Sequence, residues 1–135
     1  MSVLGVGIDV VDVAGFRAQL ADPASGFVAT TFTASEQRDA ARPAGDRSER
    51  LAARFAAKEA FVKAWSGARF GRPPALATVD LREVEVVLDG YGRPGLRLHG
   101  AVRNAVATLA PAIDVRLSLS HDGGVATAIT VLSAA

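Results

Sequence analysis

Three places in this chain carry side chains whose types and spacing suit chemistry. On a helical wheel at about 100° per residue, Glu59 and Lys63 share one face, four residues apart, with Ala52, Phe55, Ala56 and Val62 beside them and Arg50 and Ala57 on the far side. A carboxylate and an ammonium on a mostly apolar stripe are costly unless something pairs with them. Either they form an ordinary helix ion pair, or they face a cleft that holds a metal and phosphates. Asp9 is the second place. It interrupts an apolar, β-branched run, and Gly5 and Gly7 precede it on its own face of a strand. Glycine within a strand often marks close approach of a ligand or another backbone. Asp9 reads either as a cap or turn residue at a strand end or as a metal ligand. The third place is Ser118-Leu119-Ser120-His121, before a tight turn. It reads as a hairpin end with a solvated histidine or as a source of further donors. Ser120 and His121 project to opposite faces of a strand, the wrong geometry for a hydrolase nucleophile and its base. Together these residues supply two carboxylates for one magnesium ion and a lysine for phosphate charge, a set suited to chemistry on a pyrophosphate. Gly5 and Gly7 do not form a dinucleotide fingerprint, because Val10 stands where the third glycine belongs.

The elements that must position these residues read as follows. Val3 to Val13 is a strand, with Val6, Ile8 and Val10 on one face and Gly5, Gly7, Asp9 and Val11 on the other. Ala14 to Leu20 is a short helix that breaks at the turn cluster Asp22 to Gly26. Thr33-Ala34-Ser35-Glu36 is a capping box that opens another helix. Residues 42–48 are a polar loop, and Glu49 to Ser66 is the strongest helix, with Gly67 as its C-cap. After a loop over residues 68–78, Val84 to Asp89 and Gly95 to Leu98 form a hairpin around Gly90 to Pro94. Gly100 to Leu109 is helical, and Asp114 to Ser120 pairs with Val125 to Leu132 around Asp122-Gly123-Gly124. The expected fold class is α+β, with helices packed on a mainly antiparallel sheet, in a single domain over residues 1–135.

Composition narrows the field. Net charge is +1, from 15 basic and 14 acidic residues, which argues against a general nucleic-acid binder. There is no cysteine, so disulfides, zinc–thiolate sites and thiol nucleophiles drop out. His99 and His121 are the whole histidine complement, so a metal site would lean on carboxylates, which suits magnesium. No apolar run reaches the length of a membrane span, and the N-terminal run contains Asp9 and Asp12 with no basic leader. The protein is expected to be cytoplasmic, with neither a membrane nor a nucleic acid as partner.

The chain resembles the holo-acyl-carrier-protein synthases. The likeness rests on Gly5 to Val11, on Arg54-Phe55-Ala56-Ala57-Lys58-Glu59-Ala60-Phe61-Val62-Lys63-Ala64 and on Ser118 to His121, in the family's order. Phe32-Thr33 with Glu36, and Gly92-Arg93-Pro94 followed by Arg97 to Gly100, are also similar to family positions. The resemblance implies transfer of 4′-phosphopantetheine from coenzyme A to a carrier-protein serine, releasing adenosine 3′,5′-bisphosphate, in support of fatty acid biosynthesis. It gives Asp9 and Glu59 the role of magnesium ligands. It gives Lys63 the role of stabilising or protonating the leaving group, and Glu59, directly or through a bound water, that of taking the serine proton. Arg54, Lys58, Lys63, Ser120 and His121 are cast as coenzyme A contacts, the 3′-phosphate included. A chain one unit long, where larger relatives join two, implies a homotrimer with sites at subunit interfaces. The partner is a free acyl carrier protein or the carrier domain of a fatty acid synthase.

There are departures from the family pattern. A basic pair usual at the start of the first helix reads Ala14-Gly15 here, with Arg17 the nearest arginine, and the usual Gly-Thr-Gly after the middle helix reads Ser66-Gly67-Ala68. Competing readings are a coenzyme A-binding module without catalysis, a metal-dependent phosphohydrolase, and an interaction protein with ordinary surface ion pairs. The first could dispense with Asp9 and Glu59, the second needs no carrier, and the third leaves Asp9 unexplained.

Overall fold

The computed structural model describes residues 1–42 and 44–135 and is built around one long helix. Element order is β1 (Ser2–Asp12), α1 (Val13–Leu20), α2 (Phe27–Thr31), α3 (Ala34–Ala40), α4 (Arg47–Ala68), a 3₁₀ turn (Leu81–Glu83), β2 (Val84–Leu88), β3 (Pro94–Leu98), α5 (Gly100–Val106), β4 (Ile113–Asp122) and β5 (Val125–Ala134). The class is α+β, as expected. Sheet order is β1-β5-β4, all antiparallel, with β2 and β3 as a separate antiparallel pair. Gly123 and Gly124, both at positive φ, make the two-residue turn between β4 and β5.

Helix α4 is 22 residues long and its alanines are buried on several sides: Ala52, Ala56, Ala57, Ala60 and Ala64 have no exposed surface. Small side chains let neighbouring elements approach closely. Against its first half pack Phe16, Phe27 and Phe32, with ring centroids of Phe16 and Phe27 within 5.6 Å of the Phe55 ring. Against its second half pack Val84, Val102 and Leu132 around Phe61 and Trp65. Ala57, expected on the far side of the wheel, is fully buried, so α4 is a core helix with one open stripe.

Three expectations about local structure change. Asp46 caps α4, accepting from Ser48 N at 2.9 Å, so the helix starts inside the stretch expected as loop over 42–48; Pro43, in that loop, lies outside the described residues. Gly67 is within α4 and the C-cap is Arg69, because the backbone hydrogen bonds run on past Ser66. Helix α2, opened by Gly26 at φ 58°, was not expected, since five residues are too few to show a period. The Thr33–Glu36 capping box is present, with Glu36 Oε1 accepting from Thr33 N and Thr33 Oγ1 accepting from Glu36 N. Among the described residues, no helix is long and apolar enough to cross a membrane.

Candidate active site

Asp9 lies where β1 crosses α4, and the glycines before it make the crossing possible. A Cβ at Gly5 would sit 1.9 Å from the Ala64 carbonyl oxygen, and one at Gly7 would sit 1.8 Å from that of Ala60. The backbone that approaches these glycines is therefore the helix. Asp9 is next on the same face, and its carboxylate meets Lys63: Nζ donates to Asp9 Oδ1 at 3.0 Å and to the Ile8 carbonyl oxygen at 3.0 Å. Lys63 thus pairs with the strand carboxylate, not with Glu59 one turn back, as a simple helix pair would have it.

Glu59 is left half-buried beside this pair. Burial raises its carboxyl above the ordinary value, the Asp9 charge adds to the rise, and Lys63 opposes it. The site holds more negative charge than its lysine offsets, which suits a divalent cation. Among the described residues, no group of three or more His, Cys, Asp or Glu gathers, so a cation held by Asp9 and Glu59 would complete its shell from substrate oxygens and water, as magnesium does.

A cavity of about 340 Å³ opens on another side of α4. Arg54 and His121 line it, with Val86 and Leu88 of β2, Leu119 of β4, and Gly92 and Pro94 of the β2–β3 connection and β3. Arg54 is only 6 % exposed and enters no ion pair among the described residues. Its Nη1 donates to the Arg50 carbonyl oxygen at 3.2 Å, and its Nε has no acceptor among the described residues. Burial pulls this guanidinium below its ordinary pKa, yet arginine keeps its charge in proteins. The Asp39 and Glu36 charges act on it only from a distance, without an ion pair, and a buried cation of this kind beside a cavity suits an anionic ligand. His121 Nδ1 stands 2.9 Å from Glu49 Oε1 on the cavity rim. Sequence reasoning missed Glu49, whose link to His121 is a tertiary contact with no local signature.

Two residues expected at a coenzyme A site are placed elsewhere. Lys58 has no exposed surface. Its Nζ donates to Glu36 Oε1 at 2.8 Å and to the carbonyl oxygens of Leu81 at 2.7 Å and Val84 at 2.8 Å. All three donors are spent inside the fold, so Lys58 fastens α4 to α3 and β2 and offers nothing to a phosphate. Glu36, read from the sequence as a capping residue and a family-like position, completes the link by accepting from Val86 N at 3.0 Å. Ser120 pairs with Thr127, which in turn opposes Val10, so its side chain lies on the outer face of the sheet, away from the cavity and from Asp9. Asp9, Glu59 and Lys63 are brought together; Arg54 and His121 are brought together; the cavity that Arg54 and His121 line is not lined by Asp9, Glu59 or Lys63.

Comparison with known proteins identifies the family. The profile of the 4′-phosphopantetheinyl transferase superfamily matches residues 5–129. The holo-[acyl-carrier-protein] synthase of Mycobacterium tuberculosis H37Rv is 43 % identical over 134 residues, covering 99 % of each sequence. An ACPS–CoA complex from Chronobacterium ammoniagenes superposes with a TM-score of 0.89 at 44 % identity, over 96 % of each chain. Acyl carrier protein synthase from Mycobacterium tuberculosis superposes with a TM-score of 0.78 at 40 % identity, over 98 % of this chain and 99 % of that one. With a match over nearly its whole length in both sequence and structure, the chain belongs to the 4′-phosphopantetheinyl transferase superfamily.

Proposed function

We propose that this protein is a holo-acyl-carrier-protein synthase: it transfers 4′-phosphopantetheine from coenzyme A to a serine of an acyl carrier protein and releases adenosine 3′,5′-bisphosphate. The observation that carries the reading is the gathering of Asp9, Glu59 and Lys63 where β1 crosses α4. Asp9 and Glu59 would hold magnesium, which when bound supplies charge neutralisation on the pyrophosphate. The serine Oγ attacks the β-phosphate, and the Glu59 carboxylate, directly or through a water, takes its proton. A carboxyl raised by burial is a better base near neutral pH than an ordinary glutamate. Lys63 stabilises the charge that develops on the departing 5′-phosphate. Phosphoryl transfer asks for this positioning and charge stabilisation more than for a covalent intermediate.

The cavity fits the nucleotide end. Arg54 supplies charge for the 3′-phosphate, and His121 stands on the rim as a second donor. The Lys58 contact expected from the resemblance is replaced by a structural role.

The active form is proposed to be a homotrimer. Val6, Ile8 and Val10 are 56 %, 59 % and 62 % exposed, and Ile129 beside Ile8 is 41 % exposed. A contiguous apolar face of this kind marks an interaction surface. Ser120 shares it, so in the assembly Ser120 would meet the ligand of a neighbouring copy. The setting is the cytoplasm, with a free carrier protein or a synthase carrier domain as acceptor.

The test is intact-mass measurement of an apo carrier protein incubated with enzyme, coenzyme A and magnesium, with a chelator control. One phosphopantetheine is gained, and the gain is lost with chelator. Release of phosphopantetheine without a carrier would identify a phosphohydrolase, and coenzyme A binding without transfer to a free carrier or a carrier domain would identify a binding module.

A further inference from the structure

Among the described residues, β2 has one strand neighbour, β3, and no ladder ties this pair to the three-stranded sheet. Where the pair begins, His99 N donates to the Glu83 carbonyl oxygen at 2.9 Å, and where it ends, Asp89 N donates to that of Arg93 at 2.9 Å. Backbone groups alternate between edges along a strand, so residues 83, 85, 87 and 89 turn theirs to β3, and Val84, Val86 and Leu88 turn theirs the other way. That second edge is not open to water, since Val84 and Val86 are buried. A buried amide or carbonyl left without a partner is costly. Here two ions take the place of a third strand. Lys58 Nζ donates to the Val84 carbonyl oxygen at 2.8 Å, and Val86 N donates to Glu36 Oε2 at 3.0 Å. The ions meet each other at 2.8 Å, and both are fully buried. Each has a further anchor: Lys58 donates to the Leu81 carbonyl oxygen at 2.7 Å, and Glu36 Oε1 accepts from Thr33 N at 2.9 Å.

We propose that Glu36 and Lys58 are positioning residues for coenzyme A: standing in for the missing neighbour of β2, they set the distance between α4, which carries Arg54, and the opposite wall of the cavity. The inference rests on the transferase reading above and extends it to two residues that touch no ligand. The bridge adjoins the cavity on both sides. Lys58 lies one turn beyond Arg54 on α4. Val86, whose amide Glu36 holds, lines the cavity, Leu88 follows it on the same strand face, and Gly92 and Pro94 of the same hairpin complete that wall. Apolar packing alone would let a two-stranded pair slide against a helix, because it has no preferred direction. Hydrogen bonds from two buried ions to named backbone groups allow one register only. A lysine inside the Arg54–Lys63 stretch thus serves ligand affinity from within the fold.

The test compares wild type, Glu36→Gln/Lys58→Met and Glu36→Asp by calorimetric titration with coenzyme A and magnesium and by steady-state transfer, each protein first checked for fold by circular dichroism. The double variant removes one charge of each sign and so strands no ion. Glu36→Asp keeps the negative charge that reaches Arg54 and draws the carboxylate back by one methylene, which isolates geometry from charge. Expected in both is coenzyme A affinity weaker by about fivefold or more, with a matching rise in coenzyme A KM, while carrier KM and kcat at saturating coenzyme A stay within about twofold. A pair that only stabilises the fold would lower the melting temperature and leave this split unmoved. Coenzyme A affinity within about twofold of wild type in a folded variant overturns the proposal. So does a fall in kcat with affinity kept, which would place the pair behind Glu59, the next residue in the chain. If the double variant does not fold, Glu36→Asp decides by the same criteria. Absence of transfer in wild type overturns the transferase reading itself, and is seen before any substitution is made.

Discussion

Replacing Gly7 by alanine sets a Cβ 1.8 Å from the Ala60 carbonyl oxygen and 2.7 Å from the Ala64 amide nitrogen. Both are backbone atoms of α4, so no rotamer change relieves the contact. Ordinary contact begins at 3.4 Å, so strand and helix must part by about 1.6 Å. Overpacking costs about 1–3 kcal/mol, and a backbone-to-backbone clash belongs at the top of that range. At about 4 °C per kcal/mol for a domain of this size, the melting temperature falls by about 12 °C. Asp9 is two residues along the same strand face, and it meets Lys63 across the crossing that must open. A misplacement of this size costs about a hundredfold in rate. Thermal unfolding followed by circular dichroism, and transfer measured at a temperature where both proteins are folded, check the two parts separately. Gly95→Ala is the control, since a Cβ there has no neighbour within 4 Å. If Gly7→Ala melts within about 2 °C of wild type and keeps its activity, the account of β1 is wrong.

Gly67→Ala tests whether α4 runs through position 67: no atom lies within 4 Å of the added Cβ, so the variant should gain up to about 1 kcal/mol by chemical denaturation, whereas a glycine-dependent cap would make it lose stability. Glu36→Gln strands the fully buried Lys58 ammonium and should cost about 3–5 kcal/mol, while adding Lys58→Met to it should cost clearly less than the two single losses together, in a denaturant double-mutant cycle. Glu59→Gln should abolish transfer yet raise stability at pH 7. Because folding raises the Glu59 pKa, its favourable contribution is complete below the unfolded pKa and is lost as pH rises through the folded one, so melting curves of variant and wild type should converge in acid and separate toward neutrality.

What was legible in the sequence was whatever depends on near neighbours. The alternation of Gly5, Gly7 and Asp9 against Val6, Ile8 and Val10 identified both faces of β1, and the Thr33–Glu36 spacing identified a cap that the structure contains. The wheel set Glu59 and Lys63 on one stripe but could not say which carboxylate Lys63 would take, because Asp9 arrives from a distant strand. Lys58 failed for the same reason in stronger form. It sits within the same motif as Glu59, yet its surroundings come from α3 and the start of β2, and only tertiary packing buries it. Ser120 and His121 were separated correctly into opposite faces, but the sequence did not reveal that only the face of His121 looks into the cavity.

That separation has a consequence for how the site is assembled. Arg54 and His121 open on one cavity, Asp9, Glu59 and Lys63 gather outside it, and Ser120 lies on the apolar outer face. If the groups that act on one coenzyme A come from two copies, then Glu59→Ala and His121→Ala each kill every site in a pure homotrimer but not in a mixed one. A site formed between a copy that retains Glu59 and a neighbour that retains His121 is whole. After co-refolding of the two variants in equal amounts, about a quarter of the interfaces have that composition if copies assemble head to tail at random. Transfer activity should therefore recover to about a quarter of wild type, and Ile8→Asp in both variants, aimed at the exposed apolar face, should abolish the recovery by preventing assembly. If the mixture stays as inactive as its components while light scattering shows mixed oligomers, Glu59 and His121 serve the same site from one chain, and the cavity and the carboxylate pair must be joined by the ligand across α4 itself.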